Sequence, residues 1–367
     1  MSAPGCSHGA TEHADPKKVP IRDFRSPHRE IASKAIRNIL SSEIAESTFG
    51  QIIDGLPLSQ VALDCYKGVT CPGHPLIDEH LQLSPSVLQL ARRLRDEFDP
   101  DDFHVDYMVG CPHAARSIGH SFPSIILLQA FADAEELSHE FQAAGPGSRA
   151  FNTRLIELVA VAVHGIAVSL FKKGPARPAT DRLLSWKPDK KVYPPTYFRH
   201  EWYTCHEQYP DGVADMAGYW AESRIFGGVV LFDRRDPGST AGVEPDAVYF
   251  HSDNRDVTYR VYRLLDDQKQ QLLEFLLSDR TPPSECPLPI HGDRNNRTRI
   301  DPEEPIAETG IYRDKWERAP LGPKDYDIRL KDVMDLFNYL SEEEFFEAGH
   351  RAFDLRERRR RGDYLGF

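Results

Sequence analysis

The sequence predicts an α+β protein in which a helix-rich N-terminal half packs with a small antiparallel sheet, at about residues 227–264, and with C-terminal helices. This prediction depends on a change of periodicity near residue 220. Upstream of it, apolar residues recur at helical spacing, and downstream three short runs rich in Val, Tyr and Phe have the composition of strands. Because strands and helices do not alternate regularly, we do not expect a doubly wound sheet.

The composition is that of a folded intracellular protein. Hydrophobic residues make up 40% and charged residues 28% of the chain, which is too apolar for general disorder. The 57 acidic and 45 basic residues give a formal net charge of -12, which argues against nucleic acid as a partner. Six scattered cysteines and an N-terminus without the pattern of a secretory signal favour the cytoplasm.

We expect a polar, flexible leader over residues 1–25, followed by one globular domain over 26–367. Within that domain the sequence predicts a helical part at 26–174, a loop at 175–211, a mixed α/β part at 212–278, and an extended segment with C-terminal helices at 279–367. Ser26-Pro27 and Ser84-Pro85 are helix start signals, because serine caps free amides and proline fits a first turn. The first helix is expected to continue through Ile44.

Two further helices are predicted at about 121–143 and 148–173. The second contains the longest apolar stretch, Leu155 to Phe171, interrupted by Glu157 and His164. A membrane span needs roughly 18–20 nearly uncharged residues, so this stretch is better explained as a central core helix. His164 is then either a buried ligand or, more commonly, a core histidine bonded to a backbone carbonyl.

The C-terminal half begins with a short helix at 213–223. Strands are predicted at 227–233, 247–252 and 257–264, the last two joined by a tight turn at 253–256, and a helix follows at 266–277. Recurring prolines from 278 to 327 predict an extended segment on the surface. Two closing helices are expected at 330–340 and 342–360.

One candidate metal site lies around His104 and Asp106. In an extended segment these two side chains point the same way and offer an imidazole and a carboxylate to one cation. His113, His120 or His164 would supply a third ligand. This donor set suits non-haem iron, with zinc and magnesium as alternatives, whereas the simpler explanation is polar residues at a loop edge.

Two sequence patterns resemble known metal enzymes. The His251-Ser252-Asp253 pattern at a strand end resembles the iron-ligand placement of double-stranded β-helix oxygenases. Asp101, Asp102 and Asp106 resemble the aspartate-rich motif of class I terpene cyclases, which implies magnesium and a substrate diphosphate. That family's second metal motif would fall at Asn254, Thr258 and Tyr262, where Tyr262 replaces a glutamate.

The segment from Tyr193 to Tyr209 is the densest aromatic stretch in the chain. Rings with polar tips often line small-molecule pockets, and His200, His206 and Tyr203 are candidate acid-base groups there. We therefore predict a cleft where this segment meets the sheet and the helix at 148–173. The competing interpretation is that the rings seal a proline-rich loop against the core.

The leading functional hypothesis is an enzyme acting on a small, partly apolar molecule in an aromatic-lined pocket, with a divalent metal as a candidate cofactor. The alternative is a non-catalytic binding or regulatory protein that uses the extended segment and the tail at Arg356 to Arg361 as contact surfaces. The same arginine cluster is compatible with a nuclear address, although a solvated helix end explains it too.

Overall fold

In the computed structural model, helices enclose a small antiparallel sheet, as the α+β prediction requires. The structure describes residues 19–65, 76–105, 137–176, 195–236, 242–253, 260–279, 286–300 and 304–318, a few single residues between these ranges, and part of 341–361.

The α-helices in the described part of the chain include α1 (His28–Leu40), α2 (Glu43–Asp54), α3 (Ser59–Cys65), α4 (Pro85–Glu97), α5 (Arg149–Lys172), α6 (Val213–Phe226), α7 (Asp266–Leu277) and α8 (Ile306–Thr309). The strands are β1 (Val19–Pro20), β2 (His104–Val105), β3 (Val229–Asp233), β4 (Val248–His251), β5 (Val261–Arg263), β6 (Arg299–Ile300) and β7 (Ile311–Tyr312).

Serine caps begin three of these helices. The hydroxyls of Ser42, Ser84 and Ser148 each accept a hydrogen bond from the amide three residues further on, at the starts of α2, α4 and α5. The prediction of one helix running through Ile44 is wrong, because Ser42 adopts an extended conformation and starts a new helix. The serine that interrupts the apolar pattern is therefore a cap.

Helix α5 is the central core helix that the sequence predicted. In the described part of the chain it is the one helix long and apolar enough to cross a membrane, judged by length and composition alone. However, 67% of its apolar window is buried inside the fold, and it packs against α1, α2 and α6. Its apolar surface is used for packing within the protein.

The main sheet has the strand order β6-β5-β4-β3-β7, and each neighbouring pair is antiparallel. β3 is buried on both faces, since Val230 and Phe232 face the helical core while Val229 and Leu231 face a second, aromatic cluster. β4 and β5 pair as predicted, but His251 pairs with Val261, so their connection is longer than the predicted tight turn.

The predicted surface segment from 278 to 327 is only partly on the surface. Its described residues form β6 on one edge of the sheet and β7 on the other, with α8 between them. Arg313, Glu317 and Arg318, just after β7, are buried. The physical reason is that the edge strands β5 and β3 carry unpaired backbone groups, which this segment satisfies.

The two ends of the chain are described in part. Ile21 and Phe24, which fall inside the predicted leader, are buried in the helical core, and β1 pairs with β2. The helix predicted at 330–340 lies outside the described residues. In the helix predicted at 342–360, described residues between 343 and 357 are helical, and Phe346 and Phe353 are exposed.

Candidate functional site

A cavity of about 880 Å³ lies between α4, α5 and the start of α6, bounded also by the residues after β7. One wall is apolar and consists of Leu90, Leu94, Phe98, Phe103, Val161 and Val168. The buried side is polar and consists of His164, Asp215, Tyr219, Arg313 and Asp314, with Trp316 beside them. A cavity with one apolar wall and a few convergent polar groups is typical of small-molecule sites.

At the centre of the polar side, His164 lies between two carboxylates. Its Nε2 atom is 3.0 Å from Oδ1 of Asp215, and its Nδ1 atom is 2.7 Å from Oε1 of Glu222. Asp215, Gly218 and Glu222 lie on one face of α6 because their spacing is three and then four residues. The imidazole carried by α5 therefore fits over a glycine between two acids.

The two carboxylates favour the charged form of His164. Burial alone would lower the pKa of His164, but hydrogen bonds to Asp215 and Glu222 outweigh it and raise the pKa from 6.5 to about 9. His164 is therefore an imidazolium at neutral pH, with a proton on each ring nitrogen. This differs from the expected core histidine bonded to a backbone carbonyl.

Arg313 anchors the buried end of this network. Its Nη1 donates to Oε2 of Glu222 at 2.6 Å, and both side chains are almost fully buried. Burial would raise the pKa of Glu222, but Arg313 and His164 together lower it, so Glu222 is ionised. The imidazole is thus oriented by a carboxylate that is itself held by a guanidinium.

Two aspartates carry the network to the cavity. Oδ1 of Asp215 accepts a hydrogen bond from Nε2 of His164. Its Oδ2 accepts one from the backbone amide of Asp211 at 2.6 Å. Oδ2 of Asp314 accepts three hydrogen bonds, one from the Tyr219 hydroxyl at 2.9 Å and two from nitrogens of Arg313 at 3.1 Å. Both aspartates line the cavity while remaining mostly buried.

The structure brings His200 and Tyr203 together but places them inside the protein. Their rings are 4.8 Å apart, and both are fully buried on the face of the sheet away from the helical core. Burial lowers the pKa of His200 to about 3 and raises that of Tyr203 well above 10. His206 lies in a short 3-10 turn. None of the three is among the described residues that line the cavity.

The described rings of the aromatic segment therefore pack inside the protein, as expected from the competing interpretation that they seal a loop against the core. Tyr203 and Tyr209 are buried against Tyr219, with ring centroids 4.6 and 5.5 Å away. The Tyr209 hydroxyl donates to the backbone carbonyl of Glu317 at 2.7 Å. The cavity is lined by Pro210 and Asp211, just beyond the predicted 193–209 boundary, and by no described residue within that boundary.

The predicted metal ligands are described only in part. His104 is the first residue of β2 and pairs with Pro20, whereas Asp106 and His113 lie outside the described residues, as does His120. Among the residues that the structure describes, no group of three His, Cys, Asp or Glu side chains is placed to hold a metal ion. The iron, zinc or magnesium site stays a prediction.

The acidic pair of the terpene-cyclase resemblance contacts arginines. Asp101 accepts hydrogen bonds from Arg29 and from Ser33, the latter at 2.7 Å, and Asp102 accepts one from Arg22. These contacts tie the turn after α4 to the start of α1. At the proposed second motif, Tyr262 lies on β5 in the core.

The histidine of the pattern that resembled an iron oxygenase makes a contact inside the protein, since Nδ1 of His251 is 3.2 Å from the Tyr203 hydroxyl.

Comparison of the chain with protein-family models, with curated proteins and with solved structures gave no match. The case for a function therefore depends on the geometry of the cavity.

Proposed function

We propose that this chain is an enzyme that binds a small, partly apolar molecule in the cavity and uses Asp215, coupled to His164, for general acid-base catalysis. The observation that carries the proposal is the placement of His164 between Asp215, which lines the cavity, and Glu222, which is fully buried. The kind of substrate is the one expected from sequence, but the site differs from the predicted one at His200, Tyr203 and His206.

The chemistry follows from the position of the protons. Asp215 lines the cavity as a carboxylate whose Oδ1 already accepts the Nε2 proton of His164, so it acts first as a general base that takes a proton from a substrate atom. Protonated Asp215 then returns this proton to an atom of the substrate and is a carboxylate again, while His164 keeps both of its ring protons. Positioned proton transfer of this kind contributes typically about 10²–10⁴-fold to a rate.

The remaining residues act through His164 and are positioning residues. Glu222 holds the Nδ1 proton and fixes the plane of the ring, and Arg313 holds Glu222. Tyr219 packs edge-on against His164 at a centroid distance of 4.7 Å. An imidazole restrained on three sides keeps Nε2 directed at Asp215 while protons move.

A turnover screen tests the proposal. Purified protein is incubated with a cellular metabolite extract, and mass spectrometry follows which compounds are consumed and which appear. Asp215→Asn, which keeps the shape but removes the charge, should reduce the conversion by at least about 100-fold. Asp267→Asn, at an exposed position in the first turn of α7, is the matched control and should convert normally.

Two results would contradict the proposal. An Asp215→Asn protein with unchanged conversion would show that the network is structural only. An extract that the wild-type protein leaves unaltered, but from which it retains a compound, would favour the alternative of a non-catalytic binding protein.

A further inference from the structure

The charges on the buried side of the cavity do not balance. Three carboxylates face two cations there: Asp215, Glu222 and Asp314 against His164 and Arg313. An uncompensated charge away from water is costly, so a site of this kind favours an added cation.

Neighbouring charges do not supply that cation. Lys172 pairs with Asp211, and Arg318 pairs with Glu317, so neither pair adds net charge. On the outer side, exposed residues of both signs line the cavity, namely Arg93 and Lys173 with Glu97, Asp99 and Asp102, and Asp102 is paired with Arg22. The excess of one negative charge therefore belongs to the buried side.

The hydrogen bonds of Asp314 are a second observation, independent of the charge count, and they distinguish its two carboxylate oxygens. Asp314 is only 9% exposed, and its three hydrogen bonds, from Tyr219 and Arg313, all reach Oδ2. Among the contacts of the described residues, Oδ1 of Asp314 has no donor, although the residue lines the cavity. A carboxylate oxygen that has no donor from the protein is an acceptor for a ligand.

The surroundings of Asp314 fit an organic cation. Trp316 and Tyr219 also line the cavity, and aromatic rings attract ammonium groups. The apolar wall, with Leu90 and Leu94 on α4 and Phe98 directly after it, suits an apolar body. A metal ion would leave that wall without a role.

We propose that the ligand of the cavity is a small amphiphilic amine, with its ammonium group bound by Oδ1 of Asp314 and its apolar part against α4. This inference rests on the proposed function, in which the same cavity is the substrate site. Asp314 is then the residue that sets specificity, and Asp215 is the residue that moves the proton.

The test measures binding, so that it does not depend on turnover. Phenylbutylamine, phenylbutanol and phenylbutanoate share a body and differ in charge, and calorimetry at neutral pH gives their dissociation constants. The wild-type protein should bind the amine at least about tenfold tighter than the alcohol, because hydrogen bonds to charged groups are the stronger ones. It should bind the carboxylate more weakly still.

Variants locate the site. Asp314→Asn should weaken the amine at least about tenfold and leave the alcohol nearly unchanged. Ser169→Trp, at an exposed position of α5 that lines the cavity, should block all binding, whereas Gln89→Trp on the exposed side of α4 should not. If Asp314→Asn fails to fold, the selectivity of the wild-type protein among the three compounds remains decisive.

Equal affinity for amine and alcohol, preference for the carboxylate, or amine binding that survives Ser169→Trp would overturn the inference. Asp215→Asn also removes one of the three carboxylates and should weaken the amine, so turnover by the wild-type protein separates the inference from the proposed function. Amine binding without any turnover would leave the specificity of Asp314 standing and remove the catalytic proposal. Turnover of an anionic compound would support the catalytic proposal and refute the specificity assigned to Asp314.

Discussion

The imidazole of His164 lies directly against the backbone of Gly218. A β-carbon at Gly218 would come within 2.5 Å of Nε2 and 2.6 Å of Cε1 of His164, closer than real atoms approach. Since Gly218 lies between Asp215 and Glu222 on α6, the missing side chain is what allows the ring to reach both carboxylates.

Gly218→Ala should therefore displace the ring and break both contacts. Overpacking costs about 1–3 kcal/mol, against which alanine regains up to about 1 kcal/mol of helix propensity. We expect a net loss of unfolding free energy in urea and a changed nitrogen spectrum of His164. Gly145→Ala, where a β-carbon meets nothing within 4 Å, is the control. An unperturbed His164 spectrum in Gly218→Ala would refute the steric argument.

The stability should depend on pH through His164. Its pKa is raised from 6.5 to about 9, so its contribution is fully present below pH 6.5 and is lost as the pH rises through about 9. A shift of this size corresponds to roughly 3 kcal/mol. Urea unfolding between pH 6 and pH 10 should show this loss in the wild-type protein and a flatter profile in His164→Gln.

The exposed His139 provides a control for that experiment. His139→Gln should keep the wild-type decline of stability between pH 7 and pH 10. If His164→Gln declined as steeply as the wild type, another group would be responsible.

Arg313→Met should be strongly destabilising, because it leaves Glu222 buried without its guanidinium. Breaking a buried pair on one side costs about 3–5 kcal/mol. Adding Glu222→Gln should restore part of this loss, which a double-mutant cycle in urea measures. Arg22→Met, whose partner Asp102 is exposed, should cost no more than about 1 kcal/mol. A double variant no more stable than Arg313→Met would show that Glu222 does not need this cation.

Asn38 should matter for the contact between α1 and α7. The two hydrogens on its buried Nδ2 are shared among the carbonyls of Phe275, Leu276 and Ser278, at N···O distances of 3.2, 3.0 and 2.9 Å, around the end of α7. Asn38→Ala should lower the unfolding free energy by about 1–3 kcal/mol, since these carbonyls lose their donor.

Asn38→Asp should be worse than Asn38→Ala, because a carboxylate cannot donate and faces the negative end of a helix dipole. Chemical denaturation of both variants checks the order, with the exposed Gln89→Ala as control. The reverse order would mean that packing, and not hydrogen bonding, sets the role of Asn38.

Local signals were enough to predict several elements. α4 begins at Ser84-Pro85, and α7 covers 266–277, as their sequences indicate. In both cases the information lies within one or two turns of helix. The break between α1 and α2 at Ser41 and Ser42 was not predicted. A serine that caps a helix and a serine on the exposed face of a helix interrupt the apolar pattern in the same way, so the pattern does not distinguish them.

The candidate site was harder to predict. His164 stood out as a polar interruption of an apolar helix, but its partners Asp215 and Glu222 were missed. Asp215 and Glu222 are seven residues apart with Gly218 between them, which indicates that the two acids share one face of a helix. Only the packing of α5 against α6 shows that this face contacts His164. Arg313 lies 149 residues from His164 along the chain, and no sequence pattern joins them.

The crossing between β6 and β7 has a consequence for synthesis. The two strands are neighbours along the chain but border opposite edges of the sheet, about 19 Å apart at ~4.8 Å per strand. On the ribosome, β3, β4 and β5 emerge well before the guanidinium that neutralises Glu222. A growing polypeptide therefore completes the buried network of His164, Glu222 and Arg313 only after the whole sheet has been synthesised, because Arg313 follows directly after β7.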